Sequence, residues 1–400
     1  MNFLRYMLFL PSVTFGIISS EIFPWAFFYS TLSFGYRKIK ISIIFATFIL
    51  IIFVIGSVYF FQPQAVEILK FLFAYLNITF TFWLFLNLGE QQVNKVLKTI
   101  KIIIVGLFIF GVLQFFGFTK NFADIYTFLI PRGNYQKLED IGRGVSLLST
   151  EPSRAALEFV FLTMFYRKFI KNHKTLFDIA VISFVILVIQ GGYSLLYSFV
   201  YIFFTISKKN AAIFLALFSS LIIFNIERIL SFRGFKLING LIESGEFWET
   251  LINFSGARLT SFIAHFNYGI RSPFGAGFGN WKESSIKALE FSGLDPSSIS
   301  YFIWNSNGHW IPIRPPSIFT NLLMDFGVIG AAVLLICFYF LIRDKANVFK
   351  KNIDVYVAFS IYFFVFGYLG NPIPVIVMAL CLNTTINYKA LMDDNRQLKT

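Results

Sequence analysis

The sequence contains little of what soluble enzymes and scaffolds usually rely on. Charged residues make up 14% of its 400 residues, against about 25% in soluble proteins. It has three histidines and two cysteines, and both cysteines, Cys337 and Cys381, lie inside apolar runs. A disulfide framework and a Cys-x-x-Cys zinc pattern are therefore excluded. No P-loop, HExxH or GxSxG motif occurs, so we expect no cofactor, no metal site and no Ser-His-Asp triad.

Long apolar runs dominate what is present. Hydrophobic residues make up 56% of the chain, phenylalanine alone occurs 55 times, and the mean hydropathy is +0.70. Such runs predict an all-α, polytopic transmembrane protein. Residues 3–36, interrupted by Pro11, Glu21 and Pro24, predict two short spans joined near Ser20–Glu21. With them the chain has about 12 spans; the others are 41–61, 65–88, 102–118, 154–170, 176–190, 193–207, 211–226, 317–342, 353–370 and 372–388.

Lysine and arginine are distributed unevenly over the connections between these spans, and this predicts the orientation. Cytoplasmic loops carry an excess of Lys and Arg, so the basic connections are predicted to be cytoplasmic. The net charge of +13 then belongs mostly to the cytoplasmic face, where it meets anionic lipid, and it gives no support for nucleic-acid binding. The basic connections are 37–40, 95–101, 167–174, 208–209 and 343–351, whereas 62–64, 191–192 and 371 contain no Lys or Arg.

This orientation divides the chain into five regions. Two of them are long outer loops, and long ordered loops are where function is usually located. The regions are N-terminal transmembrane spans (1–118), a first outer loop (119–153), central transmembrane spans (154–226), a large outer loop with amphipathic helices (227–316), and C-terminal transmembrane spans with a short cytoplasmic tail (317–400).

Arginines lie beside two predicted helix starts that face outward. Arg154 follows Ser149-Thr150-Glu151-Pro152-Ser153, with Arg143 just upstream, and Arg314 precedes Pro315-Pro316-Ser317. Proline marks the first turn in each case, and the serine or threonine before Glu151 is the expected cap. The N–H groups of a helix start and nearby guanidinium groups together form an anion site. The alternative interpretation is that these arginines contact lipid headgroup phosphates.

The large outer loop contains an amphipathic segment, 257–269. Its apolar residues have helical spacing, and Arg258 and His265 lie seven residues apart on one edge. The pattern predicts a helix lying on the membrane surface. The apolar stripe comprises Leu259, Phe262, Ile263 and Phe266.

A glycine-rich segment follows this helix. Arg271 precedes three alternate glycines, Gly275, Gly277 and Gly279. Glycine allows a backbone to approach a ligand closely, but it equally allows a simple turn. Tryptophans nearby are candidates for stacking on sugars or for an interfacial aromatic belt; these are Trp281, Trp304 and Trp310.

Three acidic residues lie in or beside the predicted spans. Glu151, at an outer helix start, is either a general base or a carboxylate stabilised by the helix dipole. Glu158 lies one helical turn from Arg154, so a structural ion pair is the simpler interpretation. Asp325, inside the predicted span 317–342, is a further intramembrane acid of functional interest.

Together these segments resemble the O-antigen polymerase/ligase superfamily of bacterial membrane glycosyltransferases, and within it the Wzy-type polymerases. The spans, the basic inner face and the two outer loops agree with that layout. The motifs cover far less of the chain than the layout does, and their order and spacing carry the resemblance. They are Arg143-Gly144 with Glu151-Pro152-Ser153, Gly256-Ala257-Arg258 leading to Pro273-Phe274-Gly275-Ala276-Gly277-Phe278-Gly279, and Pro316-Ser317 through Gly327-Val328-Ile329-Gly330.

The resemblance implies a GT-C-like fold in the bacterial inner membrane and an active site on the periplasmic side. It implies that the substrates, donor and acceptor, are oligosaccharides linked to undecaprenyl diphosphate, joined without a metal. A chain-length co-polymerase and membrane lipids are the expected partners. The residues expected to bind diphosphate are Arg143, Arg154, Arg258 and Arg314, and the candidate bases are Glu151, His309 and His265.

Three other functions remain open. A ligase of the same superfamily carries a His-Asn pair where this chain has Pro316 and Ser317, which argues against that branch. A lipid-linked oligosaccharide flippase would be expected to have internal repeats and no large outer loop. A polyprenyl-monophosphate sugar transferase would have a long first outer loop, whereas the first outer connection here is a few residues around Glu21.

Overall fold

Helices form all the regular structure in the part of the chain that the computed structural model describes, namely residues 2–15, 24–34, 41–130, 144–170, 172–191, 194–207, 210–212, 247–255, 257–342 and 352–384. No strand occurs in these ranges, so the all-α prediction is confirmed for them. The α-helices are α1 (Asn2–Met7), α2 (Pro24–Phe34), α3 (Ile41–Phe61), α4 (Ala65–Leu86), α5 (Glu90–Phe115), α6 (Ala123–Leu129), α7 (Pro152–Arg167), α8 (Lys174–Ser183), α9 (Ser194–Val200), α10 (Phe247–Ser255), α11 (Ala257–Arg271), α12 (Trp281–Glu290), α13 (Ser300–Ser306), α14 (Ile318–Ile342), α15 (Ile353–Phe364) and α16 (Pro372–Leu382).

Four helices in the described residues are long and apolar enough to cross a membrane. They are Ile43–Phe61, Ala65–Leu86, Glu90–Phe115 and Ile318–Phe340. A hydrocarbon core of about 30 Å requires about 20 residues of α-helix, and helices of 19 to 26 residues meet that length. Three shorter apolar helices accompany them, at Leu196–Thr205, Ile353–Phe364 and Pro372–Leu382.

Several sequence-based boundaries differ from the observed ones. The basic segment 95–101, predicted as a connection, is part of α5, because Lys and Gln are good helix formers and extend the helix beyond its apolar part. In the described part of the first predicted N-terminal span, residues 2–15, the helix covers Asn2–Met7, and Pro11 follows in a turn. The proposed joint at Ser20–Glu21 and most of the predicted span 211–226 lie outside the described residues.

Two predicted spans are continued by π-helix. Helix α8 runs into a π-helix at Phe184–Ile189, and α9 runs into another at Tyr201–Thr205. The π-helix is rare and is found mostly as short insertions. The pattern of apolar residues does not distinguish a π-helix from an α-helix, so these two π-helices could not be predicted from the sequence.

The centre of the bundle is formed by two helices that are buried on all sides. Residues 152–165 of α7 are buried without exception, and so is every residue of α16. Helix α16 is apolar all round, as is typical of such a position, whereas α7 also buries Arg154 and Glu158. Helix α16 packs against both α4 and α7, which places the starts of these three helices close together.

These central helices define two opposite ends of the bundle. The first contains the starts of α4, α7, α14 and α16, and we call it the Tyr368 end. The second contains the end of α7 and the starts of α8 and α15, and we call it the Asp178 end. Helix α7 connects them, and its 16 residues correspond to roughly 24 Å.

Helix α14 is broken at Gly327, where φ is 65° and ψ is −176°. The glycine-rich loop fills the break: the N–H of Ala276 donates to the Met324 carbonyl (2.7 Å), and the N–H of Ile329 donates to the Pro273 carbonyl (3.2 Å). A side chain on Gly327 would meet the Pro273 carbonyl oxygen at 2.2 Å. The loop therefore satisfies backbone groups that the break leaves without helical partners.

Helix α11 packs along α14 through its small and polar residues rather than its apolar stripe. The buried face contains Ala257, Thr260, Ser261, Ala264, His265 and Gly269. A Cβ on Gly269 would lie 2.5 Å from Leu323, so the two helices approach closely, as small residues permit. The predicted apolar stripe is only half-buried, and its placement on a membrane surface stays a prediction.

Candidate functional site

The site begins at the first turn of α7. Glu151 is the N-cap, with extended φ and ψ of −155° and 155°, and Pro152 is the first helical residue. The predicted serine or threonine cap is therefore wrong by one or two positions. Ser149 instead donates its hydroxyl to Glu158. The proline fixes where the helix starts because its ring sets φ and needs no amide donor there.

Arg258, from the first turn of α11, meets this helix start. Its Nη2 donates to Oε1 of Glu151 (2.7 Å) and to the hydroxyl of Tyr368 (3.0 Å). The guanidinium of Arg154 lies over the ring of the same tyrosine, with its Cζ 4.0 Å from the ring centroid. Two arginines from distant parts of the chain thus share Tyr368, one through its hydroxyl and one through its ring.

The pair between Arg258 and Glu151 is accessible, whereas Arg154 is buried. The side chains of Arg258 and Glu151 are 33% and 31% exposed. Burial raises the pKa of Glu151, but Arg258 and Arg154 lower it by more, so its pKa lies below the ordinary value of 4.5. Glu151 is therefore a carboxylate at neutral pH. Its contribution to stability is present above pH 4.5 and is lost as the pH falls through the lower folded-state pKa.

Glu158 is a buried carboxylate on the same helix as Arg154. It accepts hydrogen bonds from the Ser149 hydroxyl and from Nδ2 of Asn371, which lies 3.0 Å away. Arg154 is close enough to interact with it electrostatically. These contacts tie the starts of α7 and α16 together, and the ion pair predicted between Glu158 and Arg154 stays a prediction.

The backbone of Arg314 contacts α11, which carries Arg258, but the Arg314 side chain points to a different carboxylate. The Ser261 hydroxyl donates to the Arg314 carbonyl (3.0 Å), and the N–H of Gly367 donates to the Pro316 carbonyl (3.0 Å). The Arg314 guanidinium, however, donates to Oε2 of Glu67 (3.3 Å). The three predicted arginines that the structure describes, Arg154, Arg258 and Arg314, therefore do not form one cluster.

Comparisons of the chain with family models, with curated proteins and with solved structures give no match.

The three loop glycines meet protein rather than open space. All have positive φ, between 73° and 88°. A Cβ on Gly275 would meet the N of Gly327 at 2.6 Å, and one on Gly277 would meet the Phe61 ring at 2.3 Å. Gly279 lies against the start of α4, and its N–H donates to Asp325. Their close approaches thus serve packing and the broken helix, and Arg271, at the end of α11, is exposed.

The two candidate histidines occupy different environments. His265 is fully buried beside Ser261, and burial lowers its pKa to about 4, so it is neutral and out of reach of a substrate. His309 is exposed in the segment between α13 and α14. Arg143 lies outside the described residues.

Two residues of this end were missed by sequence reasoning. Tyr368 lies in the short connection before α16, where nothing local distinguishes it. Glu67 did carry a signal, because an acid close to the start of an apolar span is costly and often functional. Its partner Lys70 is three residues away on the same helix face.

The chemistry available here is recognition of an anion and transfer of a proton. Arg258 presents donors beside an ionised carboxylate, and Arg154 adds a buried positive charge. No group of three or more His, Cys, Asp or Glu residues within the described ranges has the arrangement of a metal site. Guanidinium groups bind phosphate oxygens in pairs, so phosphate is the anion that suits the site.

Proposed function

We propose that the chain is a Wzy-type polymerase, an integral-membrane glycosyltransferase that joins oligosaccharide repeat units carried on undecaprenyl diphosphate into O-antigen or a related surface polysaccharide. The observation that carries the proposal is the meeting of Arg154 and Arg258 on Tyr368, beside the carboxylate of Glu151. Glu151 and Arg258 belong to the segments on which the family resemblance rests, Arg154 directly follows the first of them, and Tyr368 lies in the connection before α16.

The proposed setting is the bacterial inner membrane, with about 12 spans in a GT-C-like arrangement. The Tyr368 end faces the periplasm and the Asp178 end faces the cytoplasm. Support comes from the charge distribution, because α8 and α15, which start at the Asp178 end, each follow a connection that is basic in sequence, 167–174 and 343–351. The helix starts at the Tyr368 end follow the connections that hold no Lys or Arg, 62–64 and 371.

In the proposed reaction, a hydroxyl oxygen of the acceptor sugar attacks the anomeric carbon of the donor. The bond between that carbon and the diphosphate breaks, and the diphosphate leaves with both bonding electrons. Arg258 and Arg154 stabilise the negative charge that develops on it, with Arg143 as a further candidate. Glu151 accepts the hydroxyl proton. Its pairing with Arg258 keeps it ionised, and its exposure makes it a better base than the buried His265; His309 is the alternative.

The test is the surface glycan of a strain that lacks the gene. Loss of the polymerase is expected to collapse a ladder of repeat lengths to a single repeat on the lipid anchor, and the wild-type gene is expected to restore the ladder. Polymer that is still made on the lipid carrier but no longer reaches the anchor would contradict the proposal and indicate a ligase. Accumulation of the lipid-linked repeat on the cytoplasmic side would indicate a flippase instead.

A further inference from the structure

A second cationic group lies at the Tyr368 end, separate from the first. It contains Lys70, Lys282 and Arg314, which belong to α4, to the first turn of α12 and to the segment before α14. All three converge on Glu67. The sequence distance between these elements means that the fold, rather than any local motif, assembles the group.

Glu67 holds the cations in place with both of its oxygens. Oε1 lies 3.0 Å from Lys70 Nζ and 3.8 Å from Lys282 Nζ. Oε2 accepts from Nε1 of Trp281 at 3.1 Å and from Arg314 at 3.3 Å. The Arg314 guanidinium also lies over the Trp281 ring, 4.7 Å from its centroid. Because the carboxylate is only 7% exposed and fully engaged, Glu67 is a positioning residue.

Among the described residues, Lys70 and Lys282 together carry more positive charge than Glu67, the carboxylate that both contact, can compensate. Three cations contact Glu67 directly. Asp325 also interacts with Arg314, but its oxygens accept from the Tyr75 hydroxyl and the Gly279 N–H. Lys282 is the most exposed of the cations, and at 3.8 Å from Glu67 it is beyond hydrogen-bond distance. The side chains of Lys282 and Lys70 are 49% and 26% exposed, so both lysines can be reached by an anion from solvent.

We infer that Lys70, Lys282 and Arg314 bind a second diphosphate, that of the acceptor substrate. This assignment rests on the proposed function, since a reaction between two lipid-linked substrates brings two diphosphates to one end of the protein. The two cationic groups flank a single stretch of backbone, because Ser261 bonds to the Arg314 carbonyl and Gly367 bonds to the Pro316 carbonyl. Two anions bound there would be neighbours.

The first group contains arginines and the second contains two lysines, and these residue types fit the different roles of the two diphosphates. The acceptor keeps its diphosphate throughout the reaction, so its site needs to bind charge but not to stabilise charge that develops. Lysine supplies a compact charge for this purpose, whereas the planar fork of arginine suits oxygens at fixed positions. Arg258 and Arg154 at the first group fit the leaving diphosphate, and the two lysines of the second group fit the retained one.

The experiment counts the diphosphates bound to the full-length protein. The protein is placed in phosphatidylcholine nanodiscs, titrated with farnesyl diphosphate, and analysed by native mass spectrometry. We expect two bound molecules for wild type and one for the Lys70→Met/Lys282→Met double variant, with the lost binding event weakened about tenfold or more. Arg258→Met is also expected to bind one, and combining all three substitutions is expected to leave none.

Lys287→Met is the matched control, because it removes one charge from an exposed position of the same helix, α12. It is expected to bind two. A count of one for wild type, unchanged in the double variant, would overturn the inference. So would loss of one bound probe on replacing phosphatidylcholine by phosphatidylglycerol, since the second group would then be a phospholipid headgroup site.

Failure of this inference and failure of the proposed function give different results. If the second group binds no diphosphate, polymer synthesis and binding at the first group persist while the count stays at one. If the chain is not a polymerase, no polymer forms from purified lipid-linked repeat units, whatever the count. Thermal unfolding of each variant in the same nanodiscs checks that the substitutions leave the fold intact.

Discussion

The two ends of the helix bundle treat their charged residues differently. At the Asp178 end, Arg167 contacts both oxygens of Asp178 at 2.6 and 2.8 Å, and Lys168 contacts both oxygens of Asp354 at 2.8 and 3.0 Å. Each of these two cations has its own carboxylate. At the Tyr368 end the acceptors are shared, with Tyr368 between two arginines and Glu67 among three cations.

Exposure follows the same division. Arg167 and Asp178 are 16% and 3% exposed, about half or less of the exposure of Arg258 and Glu151. The Tyr201 hydroxyl also donates to Asp178, so that carboxylate is fully engaged. A buried ion pair with both partners satisfied has nothing to offer a ligand, whereas half-exposed cations with shared acceptors do. Pairing and exposure, rather than the number of arginines, therefore distinguish structural ion pairs from a candidate site.

The largest expected effect is at the Asp178 end and concerns stability. Asp178→Ala leaves Arg167 without its buried partner, which is expected to destabilise the fold by about 3–5 kcal/mol. Thermal unfolding in detergent and abundance in the membrane measure this. Asp124→Ala, which removes an exposed acid from α6, is the control and should change little. A melting temperature for Asp178→Ala equal to wild type would remove the distinction between the two ends.

The next effect is at the Tyr368 end and concerns activity. Arg258→Lys keeps the charge but loses the planar fork that reaches Glu151 and Tyr368 together. Loss of one donor to developing charge costs about 2.7–4 kcal/mol, roughly a hundredfold or more in rate. Polymer synthesis from purified lipid-linked substrate is the measurement, with Lys287→Ala as control. Near wild-type ladders for Arg258→Lys at normal abundance would favour contact with lipid headgroups.

A pH dependence is expected from His265, because burial beside Ser261 lowers its pKa from 6.5 to about 4. A lowered histidine pKa gives stability that is full above pH 6.5 and is lost as the pH falls towards 4. From pH 7 to 5 the loss is about 2 kcal/mol, at 1.36 kcal/mol per pKa unit. Thermal unfolding across this range is expected to show it in wild type and not in His265→Gln. An equally steep loss in the variant would assign the effect to other groups.

A smaller effect separates the two roles of Tyr368. Tyr368→Phe removes the hydroxyl that accepts from Arg258 but keeps the ring beneath Arg154. We expect a loss of about 1 kcal/mol, roughly fivefold in rate. Tyr368→Leu removes the ring as well and should cost more. Equal rates for the two variants would mean that the ring contributes nothing to holding Arg154.

The smallest expected effect is that of a chelator. If the cations of the Tyr368 end suffice to bind the diphosphates, EDTA should leave the rate of polymer synthesis unchanged. The rate is measured on purified lipid-linked substrate with and without EDTA. Loss of activity that a divalent ion restores would show that a metal bridges the diphosphate. The metal, and not the side-chain cations alone, would then supply positive charge at the Tyr368 end.

Local patterns predicted the parts of the site that depend on neighbouring residues. The start of α7 could be placed from Pro152 and its flanking polar residues to within two positions. The position of Arg258 in the first turn of a helix also followed from local spacing. These predictions depended on propensities that act over a few residues, and such signals are present in one sequence.

Contacts across long separations could not be predicted in the same way. Arg258 and Tyr368 are 110 residues apart, and Tyr75 and Asp325 are 250 apart. Nothing in the local sequence states which tyrosine a given arginine will meet. The grouping of Arg314 with Glu67 rather than with Arg258 also depends on how α4, α11 and α14 pack. Sequence reasoning therefore identified candidate residues, whereas the partners of each candidate, such as Glu67 for Arg314, depend on how the helices pack.

The break in α14 has a consequence for how the protein is made. The residues that bond to the broken backbone, 273–276, precede residues 324–329 in the chain. They have therefore already left the ribosome when the second half of α14 is synthesised. The backbone groups at the Gly327 break can therefore bond to residues that have already been synthesised. The two hydrogen bonds across the break do not depend on a later segment. Synthesis in the order of the sequence is thus compatible with membrane insertion of α14, although its break leaves backbone groups without partners within the helix.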